Sequence, residues 1–223
     1  MPSTRTWRRI TVWLHVLTSV GWMALAASLS ASLALAVTTD DPALRHGVLL
    51  TAHHLDGVLL APLAAGSALT GIVLAAATPF GFFHHWWVAV KFAITLVQLY
   101  VGIFVLSSAL GDALADPAAA PTGSLVAASA LMASAIAFQA WVSIDKPWGR
   151  SPWGERRPKP VAGPRWMFVA CSVAVVTDIG LAFALGHPMP VAAIVVLVAV
   201  LVGRRPRAVG ARGRAAPLAS SGG

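Results

Sequence analysis

Six runs of apolar residues, separated by short segments that carry turn residues and most of the charges, make up most of the chain. A transmembrane helix needs about 20 predominantly apolar residues. Because hydrocarbon offers no water to bond the backbone, a run that crosses a bilayer as a single segment must be helical. The sequence therefore predicts an all-α fold, a polytopic transmembrane bundle that forms one domain over residues 1–203. The predicted spans are residues 10–37, 48–77, 86–110, 124–144, 166–186 and 191–202, the last one short.

The composition agrees with a membrane domain. The chain is 57% hydrophobic and only 11% charged, whereas about a quarter of the residues in a soluble domain are charged. The first apolar run is far longer than the roughly 7–15 residues of a signal-peptide core, so we expect it to be retained as a span. The single cysteine, Cys171, lies within an apolar run and excludes an intramolecular disulfide and a site of paired cysteines.

The net charge of +8 is concentrated at three places: before the first run, between the fourth and fifth runs, and in residues 204–223. With six spans all three places fall on one side, and the excess of Lys and Arg predicts that this side is the cytoplasm. Both termini are then cytoplasmic, residues 204–223 form a basic disordered tail, and the protein is a multi-pass protein of the cell (plasma) membrane. This distribution fits topology and anionic membrane lipid, not nucleic-acid binding.

The longest internal loop contains a near-repeat, Pro147-Trp148-Gly149-Arg150 followed by Pro152-Trp153-Gly154-Glu155-Arg156. Tryptophan favours the membrane interface and arginine meets lipid phosphate. The loop is therefore predicted to lie on the inner leaflet, with docking of a cytosolic partner at residues 147–157 as the alternative.

Asp178 is the most informative polar residue, because it lies about eight residues from the outer end of the fifth run. A carboxylate at such depth costs on the order of 3 kcal/mol or more. We expect this side chain to face the bundle interior in its protonated form, where it is a candidate general acid.

His53 and Asp56 begin the second run, on the outer side, and share one helical face. One interpretation is a polar mouth that leads toward Asp178. The alternative is an ordinary helix start, since an acid in the first turn is favoured by the helix dipole.

His15 shares a stripe with Ser19 and Trp22 on the first run, and a second polar layer is predicted at this inner level. Its other candidate members are Gln139 and the pair His84 and His85, for which the two following tryptophans also favour a position at the membrane interface. A bis-histidine haem needs ligands from different helices at matching depth, and the spacing of these histidines does not supply them. We therefore expect neither a cofactor nor a metal site.

Residues 13–22 and 78–91 resemble segments of an uncharacterised group of actinobacterial integral membrane proteins, over the first four spans. This resemblance implies a helical membrane fold. His15 and Trp22 are similar to a pattern in the first span of copper-resistance-type and haem-binding membrane proteins. The architecture also resembles small membrane-embedded terpene cyclases, which protonate an alkene or epoxide with intramembrane carboxylic acids. That resemblance implies such a role for Asp178 and, more weakly, Asp56.

The favoured function is a membrane enzyme that acts on a lipid-soluble, isoprenoid-like substrate. Asp178 is its predicted general acid, assisted by Asp56 and His53. The residues predicted to line the substrate pocket are Trp22, Phe104, Trp141, Phe183 and His15. The alternatives are a proton-coupled transporter, a haem-binding redox protein and a non-catalytic assembly subunit.

Overall fold

A computed structural model describes residues 2–116, 123–155 and 163–203. In these ranges the chain forms helices joined by short connections. The helices are α1 (Thr4–Thr38), α2 (Pro42–Ala77), α3 (Trp86–Ala115), α4 (Gly123–Asp145), α5 (Pro152–Glu155), α6 (Arg165–Leu185) and α7 (Val191–Gly203). The predicted tail, 204–223, and part of the predicted docking loop lie outside the described residues.

Five helices are long and apolar enough to cross a membrane: α1, α2, α3, α4 and α6. The expectation of an all-helical chain with membrane-length apolar helices is confirmed. The sixth predicted span coincides with α7, whose 13 described residues cover about 20 Å at 1.5 Å per residue. A hydrocarbon core is about 30 Å thick, so this described length falls short of a full crossing.

The two ends of the bundle differ in charge. At the end where α1, α3 and α6 begin, the described charged residues are mainly Lys and Arg, and we call it the basic end. At the opposite end, where α1 and α3 finish, four aspartates accompany Arg45, and we call it the acidic end. These names describe the bundle without assigning either end to a side of a membrane.

Helix α2 begins six residues before the predicted span. Asp41 caps it, because its Oδ1 accepts a hydrogen bond of 2.9 Å from the Ala43 amide, and Pro42 suits the first helical turn. Arg45 fixes the connection to α1 by donating to the carbonyls of Ala36 and Thr39, at 3.2 and 2.6 Å. Hydropathy does not detect the polar first turns of α2, which extend the helix before its apolar part begins.

Helix α1 packs against α2, α4 and α6. Small residues permit the close approach: a Cβ on Gly66 of α2 would lie 3.3 Å from Thr18 of α1 and 3.2 Å from Val175 of α6. Lipid supplies no hydrophobic drive between helices, so such close packing contributes much of their association.

Two helices change their winding near the middle. Residues Asp56–Leu60 of α2 and Gly102–Leu106 of α3 are π-helical, with α-helix before and after each segment. Such π segments are rare and frequently occur at functional sites.

Candidate functional site

The two π segments meet through one hydrogen bond. Asp56 is the first residue of the segment in α2, and Ser107 directly follows the segment in α3. The Ser107 hydroxyl donates to Asp56 Oδ2 at 2.6 Å, across a sequence separation of 51 residues. A carboxyl group is thereby held where both helices depart from regular winding.

Asp56 lines a cavity of about 60 Å³ between α1, α2, α3 and α4. Trp22, Gln98, Ser107 and Ser129 also line it, and the remaining walls are mostly aliphatic. A water molecule occupies roughly 30 Å³ of liquid. The cavity therefore has room for a few waters or a small ion, next to a carboxyl group.

A line of polar contacts between α3 and α4 joins this cavity to the basic end. Gln98 donates to the Met132 carbonyl at 3.1 Å and accepts a hydrogen bond from Gln139. Thr95 donates to the Gln139 side-chain oxygen at 2.9 Å. Nearer the basic end, Lys91 donates to the Ser143 hydroxyl, which donates to the Gln139 carbonyl at 2.8 Å. We call this set the α3–α4 ladder (Lys91, Thr95, Gln98, Gln139 and Ser143).

A second polar group lies between α1 and α2. His15 Nδ1 is 3.1 Å from the Ser67 carbonyl and 3.0 Å from the Thr70 hydroxyl. The Thr70 hydroxyl donates to the Gly66 carbonyl at 2.7 Å, so its oxygen is free to accept. Both neighbours of Nδ1 then act as acceptors, which places the proton on Nδ1 and leaves Nε2 as an acceptor.

The surroundings of His15 connect it to the rest of the site. Its ring lies over Gly71, where a Cβ would come within 3.1 Å of Cε1. Ser19, one turn further along α1, bonds the Ser67 hydroxyl at 2.7 Å, and Trp22 on the same stripe reaches the cavity. Lys91 lies within electrostatic range of His15. The two polar groups therefore lie within electrostatic range of each other near the basic end.

Asp178 occupies a different place. It is buried, and its two oxygens accept hydrogen bonds from the amides of Ala192 and Ala193, at 3.0 and 2.8 Å. These are the second and third residues of α7, so Asp178 of α6 caps that helix from outside it. A protonated oxygen would point a donor at a donor, so this geometry suits the carboxylate. The catalytic role assigned to Asp178 from sequence stays a prediction.

The remaining predicted residues divide between the cavity and the bundle surface. Trp22 is 3% exposed and lines the cavity beside Asp56. His53 is exposed one turn before Asp56 and close enough to interact with its charge. Three aromatic residues face outward from the bundle, with exposed fractions of 65% for Phe104, 49% for Trp141 and 57% for Phe183.

Sequence reasoning did not identify Gln98, Ser107 or Ser129 as site residues. A signal for Gln98 exists, because Lys91, Thr95 and Gln98 follow a spacing of four and three and share one face of α3. No comparable local signal marks Ser107, whose partner Asp56 lies on another helix.

Among the described residues, no group of three or more His, Cys, Asp or Glu side chains could hold a metal ion. No protein-family model matches the chain, and neither a curated protein nor a solved structure shows significant similarity to it.

Proposed function

We propose that this protein is a proton-coupled membrane transporter of the plasma membrane, in which Asp56 is the carboxyl group that binds and releases the proton. The observation that carries the proposal is the cavity of about 60 Å³ that Asp56 lines and that the α3–α4 ladder joins to the basic end. An ionisable group at membrane depth is costly and is commonly part of an ion or proton pathway. Following the distribution of Lys and Arg, the basic end is cytoplasmic.

The contacts around Asp56 allow its carboxyl group to exchange a proton. Among the described residues, Ser107 is the one hydrogen-bond partner of the Asp56 carboxyl group, and Asp56 also lines the cavity. Water in that cavity would have Asp56, Gln98 and Ser129 as polar neighbours, enough to order it. At the acidic end, exposed His53 provides a titratable group one turn from Asp56.

From Asp56 toward the basic end, the proposed route of the proton follows amide and hydroxyl groups that both donate and accept hydrogen bonds. The α3–α4 ladder forms this route. The group of Ser19, Ser67, Thr70 and His15 lies between α1 and α2, and the acceptor Nε2 of His15 could take a proton there.

The π segments provide a means of coupling proton binding to a change in helix geometry. A π turn contains one residue more than an α turn, and its conversion to α-helix rotates the side chains beyond it. Asp56 and Ser107 lie at the boundaries of the two segments, so a change in their hydrogen bond acts directly on both.

A second candidate is the membrane enzyme expected from sequence, a terpene-cyclase-like catalyst of an isoprenoid substrate. The observation that favours it is Trp22, whose indole shares the cavity with Asp56 and could stabilise a cationic intermediate. Asp56 would then be the acid in place of Asp178. Sites for drug-sized ligands measure roughly 300–1,000 Å³, so the cavity of about 60 Å³ would have to open for such a substrate.

Reconstituted vesicles test the transporter. We expect wild-type protein to admit protons when a potassium gradient with valinomycin drives them, as read by a trapped pH-sensitive dye. Asp56→Asn should lower this rate at least about tenfold, because an amide cannot take up and release the proton. Asp112→Asn, a change at an exposed aspartate of α3, is the matched control and should leave the rate unchanged.

A second measurement does not depend on an unknown co-substrate. Infrared difference spectra between two pH values should contain a carboxyl C=O band that Asp56→Asn removes and Asp112→Asn retains. Wild-type flux in the Asp56→Asn protein, or an unchanged carboxyl band, would remove Asp56 from the pathway. Conversion of a prenylated substrate by the wild type but not by Asp56→Asn would favour the enzyme instead.

A further inference from the structure

A groove at the basic end of α3 lies apart from the Asp56 cavity. It has a volume of about 520 Å³ and is lined by Phe83, Trp86, Ala89, Val90, Ala93 and Trp153. Pockets that bind small molecules measure roughly 300–1,000 Å³. Ala89 and Ala93 are one turn apart on α3 and are small, which leaves room between the larger aromatic side chains.

The connection after α4 builds one wall of this groove. The backbone of residues 149–151 pairs with residues 84–86, because the Ser151 amide donates to the His84 carbonyl at 3.0 Å and the Trp86 amide to the Gly149 carbonyl at 3.4 Å. The Ser151 hydroxyl also donates to the Phe83 carbonyl. These bonds hold Trp153 against Trp86, with ring centroids 5.3 Å apart.

The same connection brings positive charge to the groove. The backbone of Arg150 pairs with that of His85, the residue before groove-lining Trp86, and the Lys146 Nζ lies 5.9 Å from the ring centroid of Phe80. Both Arg150 and Lys146 are exposed. In the sequence, residues 145–165 carry six Lys or Arg against Asp145 and Glu155, and three of the six, Lys146, Arg150 and Arg165, lie within the described residues. Their basic excess complements an anion, and the neighbouring tryptophans are typical of the membrane interface.

We propose that this groove binds one anionic phospholipid, with an acyl chain along Ala89 and Ala93 and the phosphate held by Arg150 and Lys146. Beyond Ala93 the apolar face of α3 continues through exposed Val97 and Tyr100, which extends the surface for the acyl chain. The site is independent of proton transfer at Asp56.

Native mass spectrometry of the full chain in detergent tests the site. With added dioleoyl phosphatidylglycerol or dioleoyl phosphatidylcholine, we expect the anionic lipid to remain bound to wild-type protein and the zwitterionic lipid to dissociate. Ala93→Trp fills the groove and should abolish the retained lipid. Ala140→Trp, the same change at an exposed alanine of α4, is the matched control and should retain it.

A second variant leaves the groove intact. Lys146→Gln combined with Arg150→Gln should weaken phosphatidylglycerol binding by about fivefold for each charge removed. Equal retention of the two lipids by wild type, or undiminished phosphatidylglycerol on Ala93→Trp, would overturn the site. A dimer that Ala93→Trp dissociates, without loss of lipid, would also overturn it and would identify a second copy of the chain as the occupant.

Discussion

Two aspartates lie within the bundle and differ in what surrounds them. Asp178 has both oxygens bonded to the first turn of α7. Among the described residues, the Asp56 carboxyl group accepts one hydrogen bond, from Ser107, and Asp56 lines a cavity. Hydrogen-bond donors at a helix start favour a fixed carboxylate, whereas an incompletely bonded carboxyl group can change partners. Depth in the membrane alone therefore does not separate a structural acid from a functional one.

The largest predicted effect is a difference in stability between variants of the two aspartates. Asp178→Ala leaves the amides of half-buried Ala192 and buried Ala193 unpaired, and hydrogen bonds to a charged group contribute about 1.5–3 kcal/mol each. We expect a loss of about 3 kcal/mol or more in unfolding free energy, measured by denaturant titration in detergent. Asp56→Ala, which removes one hydrogen bond beside a cavity, should cost about 1 kcal/mol. Equal losses would show that the comparison is wrong.

A smaller effect tests whether the partner of Asp56 matters to proton transfer. Ser107→Ala removes its hydrogen bond and should change the rate of proton uptake by vesicles about fivefold, as a typical net hydrogen bond of about 1 kcal/mol implies. Ser108→Ala, at the exposed neighbouring serine, should have no effect. A Ser107→Ala protein with the rate of the Ser108→Ala protein would show that this bond is structural.

The smallest effect concerns the packing of His15 over Gly71. Gly71→Ala places a methyl group 3.1 Å from the His15 ring, so the ring must move, whereas the better helix propensity of Ala offsets up to about 1 kcal/mol of the cost. We expect a net stability change below about 1 kcal/mol, with a shifted His15 imidazole signal in nitrogen NMR. Gly47→Ala, which meets nothing within 4 Å, should only stabilise the protein. An unmoved His15 signal would contradict the packing over Gly71.

Sequence reasoning located the helices because apolar runs and turn residues are local signals. It also singled out Asp178 and Asp56, since charges within apolar runs are conspicuous. It did not determine which way Phe104, Trp141 and Phe183 face, because lipid is as apolar as the bundle interior and leaves no polar face for reference.

The features that define the Asp56 site are not local. A π segment inserts one residue into an apolar helix without changing its hydropathy, so Asp56–Leu60 has no clear signature. The bond between Asp56 and Ser107 joins two helices and depends on their packing. Such pairings can be recognised only from the tertiary structure.

The cap on α7 bears on the shape of the surrounding bilayer. Asp178 lies seven residues before the end of α6 at Leu185, so α7 begins about 10 Å below that end. In a bilayer, lipids beside α7 would meet a shorter apolar wall than lipids beside α6, a hydrophobic mismatch that costs fractions of a kcal/mol per Å. Thinning of the bilayer on this flank would relieve the mismatch, so we expect the protein to deform a thin membrane less than a thick one.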